Sequence, residues 1–337
     1  MMSFVYIPVF IKEITGNVKS VGIVISLYQI FYFFSGVVFG RLGDFFKRKL
    51  FVVSGIVIAS ISIFLLKYSV NFSQVVLLRI LAGLGTGMIP GALTAYAYDS
   101  KKDIGVFTAL GSLGWAAGSL LIGVLGFKSD IFLIASFFMF FIVFMILPLK
   151  EEPIPKRDVS IFSLSVLRKN LRLYLSFFLR HTGAFAVWTI YPLFLAKLGA
   201  NALWTGIIYS INPFLQFFFM LFVKRLNALF AVKTGLFLSF VTFILFFKAK
   251  SHFEIIPYQI VLALSWALLY LGSLYYLLER NIERSTVSGA LNGVTGLCGT
   301  VGPFFGGTLG DISLRLPMIF GAGLSLAGFL MFFSKKK

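Results

Sequence analysis

Residues 40–49 read GRLGDFFKRK, five charged side chains in ten positions, set between long runs of uncharged, mostly apolar residues. A short charged segment between two apolar runs reads as a loop joining two membrane helices, and the rest of the chain can be read outward from it. Hydrophobic residues make up 59% of the 337, charged residues 12%, and mean hydropathy is +0.96. A water-soluble domain of this size could not hide so much apolar surface. The expected class is therefore all-α and polytopic, with lipid as the surrounding solvent.

A helix needs about 20 apolar residues to cross the hydrocarbon core. Uncharged stretches near that length run through 20–40, 50–66, 80–98, 104–127, 131–149, 182–196, 198–223, 255–278, 285–310 and 316–334. The region 182–223 divides at LGAN, residues 198–201, where Gly and Asn favour a turn. A further span at 229–249 has Lys233 and Lys248 on either side of its apolar centre, and the seventh helix is expected to start near Leu171, enclosing Arg180 and His181. Eleven complete spans follow, with a partial one before Lys12.

The net charge of +18 lies in short clusters between apolar runs, which suits membrane topology rather than a nucleic-acid groove. The single cysteine, Cys298, excludes an intrachain disulfide, and no cofactor or metal motif is present. MMSFVYIPVFIKE lacks a basic leader and a small-residue cleavage site, so no cleaved signal peptide is expected. With the loop 41–49 placed in the cytoplasm, alternation puts 20 of the 30 basic residues on that side and eight on the other. That asymmetry predicts a multi-pass protein of the cell membrane with a cytoplasmic C-terminus.

Sliding the sequence against itself by 184 residues aligns its halves. Pro8, Asn17, Gly22, Ser26 and Arg41 meet Pro192, Asn201, Gly206, Ser210 and Arg225; Gly105, Gly118, Gly123 and Gly126 meet Gly289, Gly302, Gly307 and Gly310. Matched glycines and prolines at one constant offset predict two six-helix bundles in parallel orientation. The expected divisions are 1–149, a cytoplasmic linker 150–170 holding a short amphipathic helix at 160–167, and 171–337. Parallel repeats of this kind place a solute site between the halves near the bilayer midplane.

With these features in place, the chain resembles the major facilitator superfamily of secondary transporters, over essentially its whole length. Three motifs carry the likeness. Gly40, Asp44, Arg48 and Lys49 match that family's loop between helices two and three, while Phe45 and Lys47 depart where Arg and Gly are usual. Arg79, Gly83 and Gly87 of RILAGLGTG resemble its helix-four motif. Gly302, Pro303, Gly306 and Gly307 form GPFFGG, whose counterpart in helix five is the degenerate GSLLIG, with Ser119 in place of proline.

The resemblance implies a cytoplasmic gate in which Asp44 meets the start of helix eleven, ERSTVSG, with Ser285 or Thr286 as cap. The free N–H groups and positive dipole end there attract a carboxylate. Arg41 or Arg48 then pairs with Asp99, and Gly40 opens the motif. Each contact is worth about 1 kcal/mol at a wet surface, weak enough to release. The plainer alternative is that the basic residues simply hold the loop inside.

Three ionisable groups fall inside spans, Arg79, Arg180 and His181, whereas all twelve acidic residues fall in loops or at helix ends. Intramembrane charge is expensive and marks function by default. Arg79 is either a proton-relay or substrate contact, as the resemblance implies, or an arginine reaching outward to the interface. Arg180, mid-membrane, either binds an anionic solute or anchors to backbone carbonyls. His181 titrates near neutrality when unperturbed, or is a packing residue. Gln29, Asn212, Trp266 and Asn292 are further candidates on the solute or proton pathway, and Tyr28, Trp188, Tyr191, Gln216 and Tyr270 fall with them on the helices expected to line the cavity. The glycine runs GLGTG and GSLGWAAG read as helix packing.

A pathway with cations and aromatics but no acid suits neutral, amphipathic or anionic solutes. The leading expectation is a monomeric, non-enzymatic carrier of small organic solutes, with protons as candidate coupling ion and export favoured by likeness to drug-exporting branches. An uptake carrier for sugars, nucleosides or organic anions is the first alternative; a transport-dead membrane scaffold is the second. Finally, the repeat offset places the first helix at about −13 to 12. The eleven residues before Lys12 make about 17 Å of helix at 1.5 Å per residue, so the natural start is expected upstream.

Overall fold

The computed structural model describes residues 2–42, 47–99, 104–149, 164–223, 226–281 and 284–333. Among the described residues every regular element is a helix. In chain order the helices are α1 (Met2–Thr15), α2 (Val18–Leu42), α3 (Arg48–Leu66), α4 (Phe72–Asp99), α5 (Ile104–Leu125) and α6 (Asp130–Ile146). They continue as α7 (Leu164–Lys197), α8 (Ala202–Val223), α9 (Ala228–Lys248), α10 (His252–Arg280), α11 (Arg284–Ile312) and α12 (Leu316–Phe333). Among the described residues, six stretches are long and apolar enough to cross a membrane: Val18–Phe39, Arg48–Leu66, Phe72–Pro90, Ala228–Lys248, His252–Leu277 and Leu316–Phe333.

The repeat is visible in the helix boundaries. A shift of 184 carries both ends of each of α2–α6 to within four residues of the ends of α8–α12. It also carries one capping device onto another. Asn17 accepts from Ser20 N at 2.8 Å at the start of α2, and Asn201 accepts from Trp204 N at 2.9 Å at the start of α8. An Asn side chain satisfies one of the N–H groups that a helix start leaves without an intrahelical partner. The helices before those caps end at Gly16 (φ 76°) and near Gly199 (φ 87°), left-handed positions that glycine adopts without steric penalty.

Within each half, small residues let backbones touch. A Cβ added at Gly83 of α4 would lie 2.4 Å from the Tyr28 carbonyl oxygen of α2, and one at Gly85 would lie 2.7 Å from the Gly55 carbonyl oxygen of α3. In the second half α9 packs on α10 and α12, and α7 packs on α11 and α12. Lipid tails are as apolar as leucine, so association rests on such close packing rather than on hydrophobic burial. The apolar excess faces outward instead: Phe137, Phe138, Phe140, Phe141 and Phe144 of α6 are all exposed.

Two differences from expectation have simple causes. α7 starts at Leu164 rather than near Leu171, so the expected linker ends sooner. Charge keeps a segment out of hydrocarbon without stopping it from being helical. Lys169 donates to the Arg280 carbonyl at 2.8 Å, and Asn170 bonds to Asn281 at 3.0 Å, tying the extension to the end of α10. Residues 160–163 of the expected amphipathic segment lie outside the described residues. The glycine runs also behave differently from each other. GLGTG packs as expected, but a Cβ at Gly111 or Gly114 of GSLGWAAG would meet nothing within 4 Å.

Candidate functional site

The halves meet along two seams, α2 with α11 and α5 with α8. The seams are images of each other under the repeat. A Cβ at Gly22 would lie 2.4 Å from the Pro303 carbonyl oxygen and 2.7 Å from Gly307 Cα. A Cβ at Gly206 would lie 2.5 Å from Gly123 Cα and 2.6 Å from the Ser119 carbonyl oxygen. Adding 184 to Gly22 and Gly123 gives Gly206 and Gly307, so one backbone-to-backbone contact is built twice. GSLLIG, degenerate as a motif, still supplies the Ser119 carbonyl and Gly123 to its seam.

Both contacts lie toward the end opposite the close of α2 and the start of α3. Moving along α11 toward the basic face, Gly299 meets the side chains of Gln29 and Phe185, Gly296 meets the Phe33 ring, and Gly293 meets nothing within 4 Å. Gly114 and Gly111 on α5 are likewise clear. At these glycines the close contact between helices is confined to one end and absent toward the basic face.

Two clusters of polar and aromatic side chains stand out, one in each half. The first is in the N-terminal half. Arg79 is buried on α4 with its guanidinium 3.9 Å from the centre of the Tyr28 ring on α2. Tyr28 pairs its hydroxyl with Thr86 at 2.8 Å, and Thr86 is anchored to the Ala82 carbonyl at 2.7 Å. Arg79 Nε is buried with no hydrogen-bond partner among the described residues. The aromatic face replaces part of the lost hydration of the cation. Arg79 therefore turns inward onto α2 instead of reaching to the interface.

The second cluster, in the C-terminal half, joins α7, α9 and α10. Arg180 is 2% exposed; its Nε donates to Ser239 Oγ at 2.8 Å and its Nη1 contacts His181 Nδ1 at 3.1 Å. Since arginine can only donate, Nδ1 must be the unprotonated nitrogen of a neutral imidazole. The His181 ring stacks on Trp266 at 4.7 Å and 18°, and Trp266 stacks on Tyr270 at 5.2 Å. Phe185 meets His181 edge-on at 5.0 Å. The expected anchor for Arg180, backbone carbonyl oxygen, is replaced by the Ser239 hydroxyl. Ser239 lies on a helix that sequence reasoning gave no role, and nothing in its surroundings marks it.

The remaining pathway candidates are dispersed. Gln29 sits on the α2–α11 seam against Gly299. Asn212 is buried on α8 and accepts from Gln216 one turn later. Asn292 is exposed on α11. Tyr191 departs from expectation: it is fully buried inside the C-terminal half, stacked on Phe246 at 5.4 Å and bonded to Gln259.

Most of the expected gate falls outside the described residues: Asp44 itself, and the side chains of Arg41, Asp99, Ser285 and Thr286. Their backbones place Gly40 and Arg41 near the end of α2, Asp99 at the end of α4, and Ser285 and Thr286 in the first turn of α11. Arg48 is buried at the start of α3, beside a small cavity lined by Lys49, Val52, Leu93, Ile146 and Leu149. Lys49 donates to the carbonyls of Leu147 and, at 3.1 Å, Leu149, where a cation meets the negative end of α6.

Two repeated six-helix halves packed along two seams are the architecture of a membrane transporter. The profile of the Major Facilitator Superfamily matches residues 1–272, and the chain belongs to that family. The Quinolone resistance protein NorA of Staphylococcus aureus is 24% identical over 365 residues, covering 98% of this chain and 91% of the relative. The Multidrug resistance protein MdtG of Escherichia fergusonii is 27% identical over 220 residues, covering 58% of this chain and 53% of its own. Among solved structures, the nucleoside transporter NupG superposes with a TM-score of 0.78 at 15% identity, covering 99% and 98% of the two chains. A bacterial homolog of the human lysosomal transporter Spinster, in an inward-facing and unoccupied conformation, gives 0.78 at 14% identity, covering 98% and 93%.

Proposed function

We propose that the chain exports small neutral or anionic amphipathic solutes across the cell membrane by alternating access, with the basic face in the cytoplasm. The observation that carries this reading is the placement of charge. Arg180 stands behind a wall of His181, Trp266 and Tyr270 in the half that parts from its partner toward the basic face. The aromatic faces accept apolar, planar parts of a solute, while the guanidinium behind them makes the local potential positive. An isolated organic cation is disfavoured there, because every acidic residue of the chain lies in a loop or near a helix end. The resistance functions in the names of NorA and MdtG support export over uptake.

In this reading the basic-face opening is the cytoplasmic entrance, and the gate at 40–49 closes it when the other end opens. Asp44→Asn should then reduce flux severalfold with little change in folding; wild-type flux would remove the gate from the proposal. Protons are the proposed coupling ion, with His181 as the group they reach.

Reconstitution in proteoliposomes tests the whole. Amphipathic anionic and neutral dyes should show counterflow and pH-gradient-driven accumulation, and expression in a sensitive host should lower the retention of the same dyes. Folded protein that moves none of them would overturn the carrier reading in favour of a membrane scaffold. Flux into cells, with none outward, would overturn the direction alone.

A further inference from the structure

We infer that Asp311 is a latch that holds the halves together at their closed end, by capping α2 from across the interface. Val18 is the first residue of α2, so its N–H has no intrahelical acceptor. Asp311 Oδ1, on α11 in the other half, accepts that N–H at 2.9 Å. The neighbouring donor, Ser20 N, goes to Asn17 within the same half. The start of α2 is therefore satisfied by one group of its own bundle and one from the opposite bundle. A carboxylate at this position also meets the positive end of the helix dipole.

The repeat isolates the role of Asp311. Both seams carry the glycine contact, and both α2 and α8 carry the asparagine cap. Only the α2–α11 seam adds a charge. The position 184 residues before Asp311 is Phe127, which stacks on Tyr6 at 5.8 Å, and α5 contains no acidic residue. Packing alone thus requires no carboxylate at this place in the fold. Val18 and Asp311 lie on helices of opposite halves, so any opening at this end separates them. A single charged cap biases an equilibrium by roughly fivefold, enough to favour closure and still release. The inference rests on the alternating-access reading, and it adds to it a specific bond that the cycle must break.

The test reads conformation rather than flux. In a Cys298→Ser background, Ser26→Cys places a thiol one turn beyond Gly22, at a position 7% exposed in the closed form. Purified protein in detergent is reacted with a maleimide. Asp311→Ala should raise the labelling rate roughly fivefold, and Asp311→Asn, which keeps an acceptor oxygen without the charge, should fall between. Asn17→Ala removes a capping bond that does not cross the interface and should label at the parent rate. Parent-rate labelling in Asp311→Ala overturns the latch. So does an equal rise in Asn17→Ala, which would mark general fraying of α2. Where Asp311→Ala does not fold, parent-rate labelling in Asp311→Asn is decisive against it. Because no transport is measured, failure of the carrier reading appears separately, as absent counterflow with this labelling pattern intact.

Discussion

Arg180 Nε is held 2.8 Å from Ser239 Oγ, and this bond ties the guanidinium of α7 to α9, beside Phe243 of α9 and Trp266 of α10. The charge is fixed at depth. In the proposed function it would act on a solute through its field, across the Trp266 ring 5.3 Å away, and not by direct contact.

That geometry separates affinity by solute charge. A unit charge about 8–10 Å from a solute at an effective dielectric near 20 contributes on the order of 2 kcal/mol. Arg180→Met, close in length and uncharged, should therefore raise KM for an anionic dye by roughly tenfold or more while leaving a neutral dye within about twofold. Arg180→Lys should keep much of the anionic affinity. An equal change for both dyes would show that the residue serves packing only.

His181 accepts from Arg180 through Nδ1, so protonation there has to break that bond and place two cations side by side. In the proposed function a proton reaching His181 would disturb both this bond and the ring's stack on Trp266 of α10. His181→Gln can still accept a hydrogen bond but cannot titrate. It should retain counterflow near the wild-type rate and lose accumulation driven by a pH gradient. Unchanged pH-driven accumulation would take His181 off the proton pathway.

Much of this fold was legible in the chain because lipid imposes length and charge rules that sequence displays directly. The offset of 184 placed Asn17 on Asn201 and Gly22 on Gly206, and the structure uses both pairs identically. Side-chain direction was not legible. Arg79 has the same composition around it whether it reaches outward or turns onto Tyr28, and the choice is made by a helix fifty residues away in sequence. Ser239 and Asp311 escaped for the same reason. A serine in an apolar helix and an acid at a helix end are ordinary until their partners are known.

At the closed end, Lys67 and Asp130 form an exposed pair at 2.7 Å between α3 and α6. The hydrogen bond to Lys67 lowers the Asp130 pKa below its ordinary 3.8, and the same bond raises that of Lys67. A depressed carboxylate pKa gives stability that is present above the ordinary value and lost as pH falls through the depressed one. The raised lysine gives the converse, present below 10.5 and lost as pH rises through its shifted value. Solvent screens both groups, so Asp130→Asn should leave Tm near the parent value at neutral pH. A drop of several degrees in a thermal-shift assay would show that the pair matters more than its exposure allows.

The glycine seams make the last prediction, and the repeat supplies its control. Gly22→Ala would put a methyl group 2.4 Å from the Pro303 carbonyl oxygen, and Gly206→Ala would put one 2.5 Å from Gly123 Cα. Neither neighbour is a flexible side-chain tip, so the halves themselves must move apart. Both variants should disfavour the closed end, slow counterflow severalfold, and lower Tm by a few degrees when that end is the resting contact. Gly114→Ala, in the same family of small residues but facing open space, should leave flux and Tm unchanged. It also replaces glycine by the best helix former, a change that is neutral to slightly stabilising. Comparing the three in one flux and thermal-shift series isolates the seam from a general sensitivity to glycine replacement. Equal losses at Gly22 and Gly114 would show that helix flexibility, not contact between the halves, is what these glycines provide.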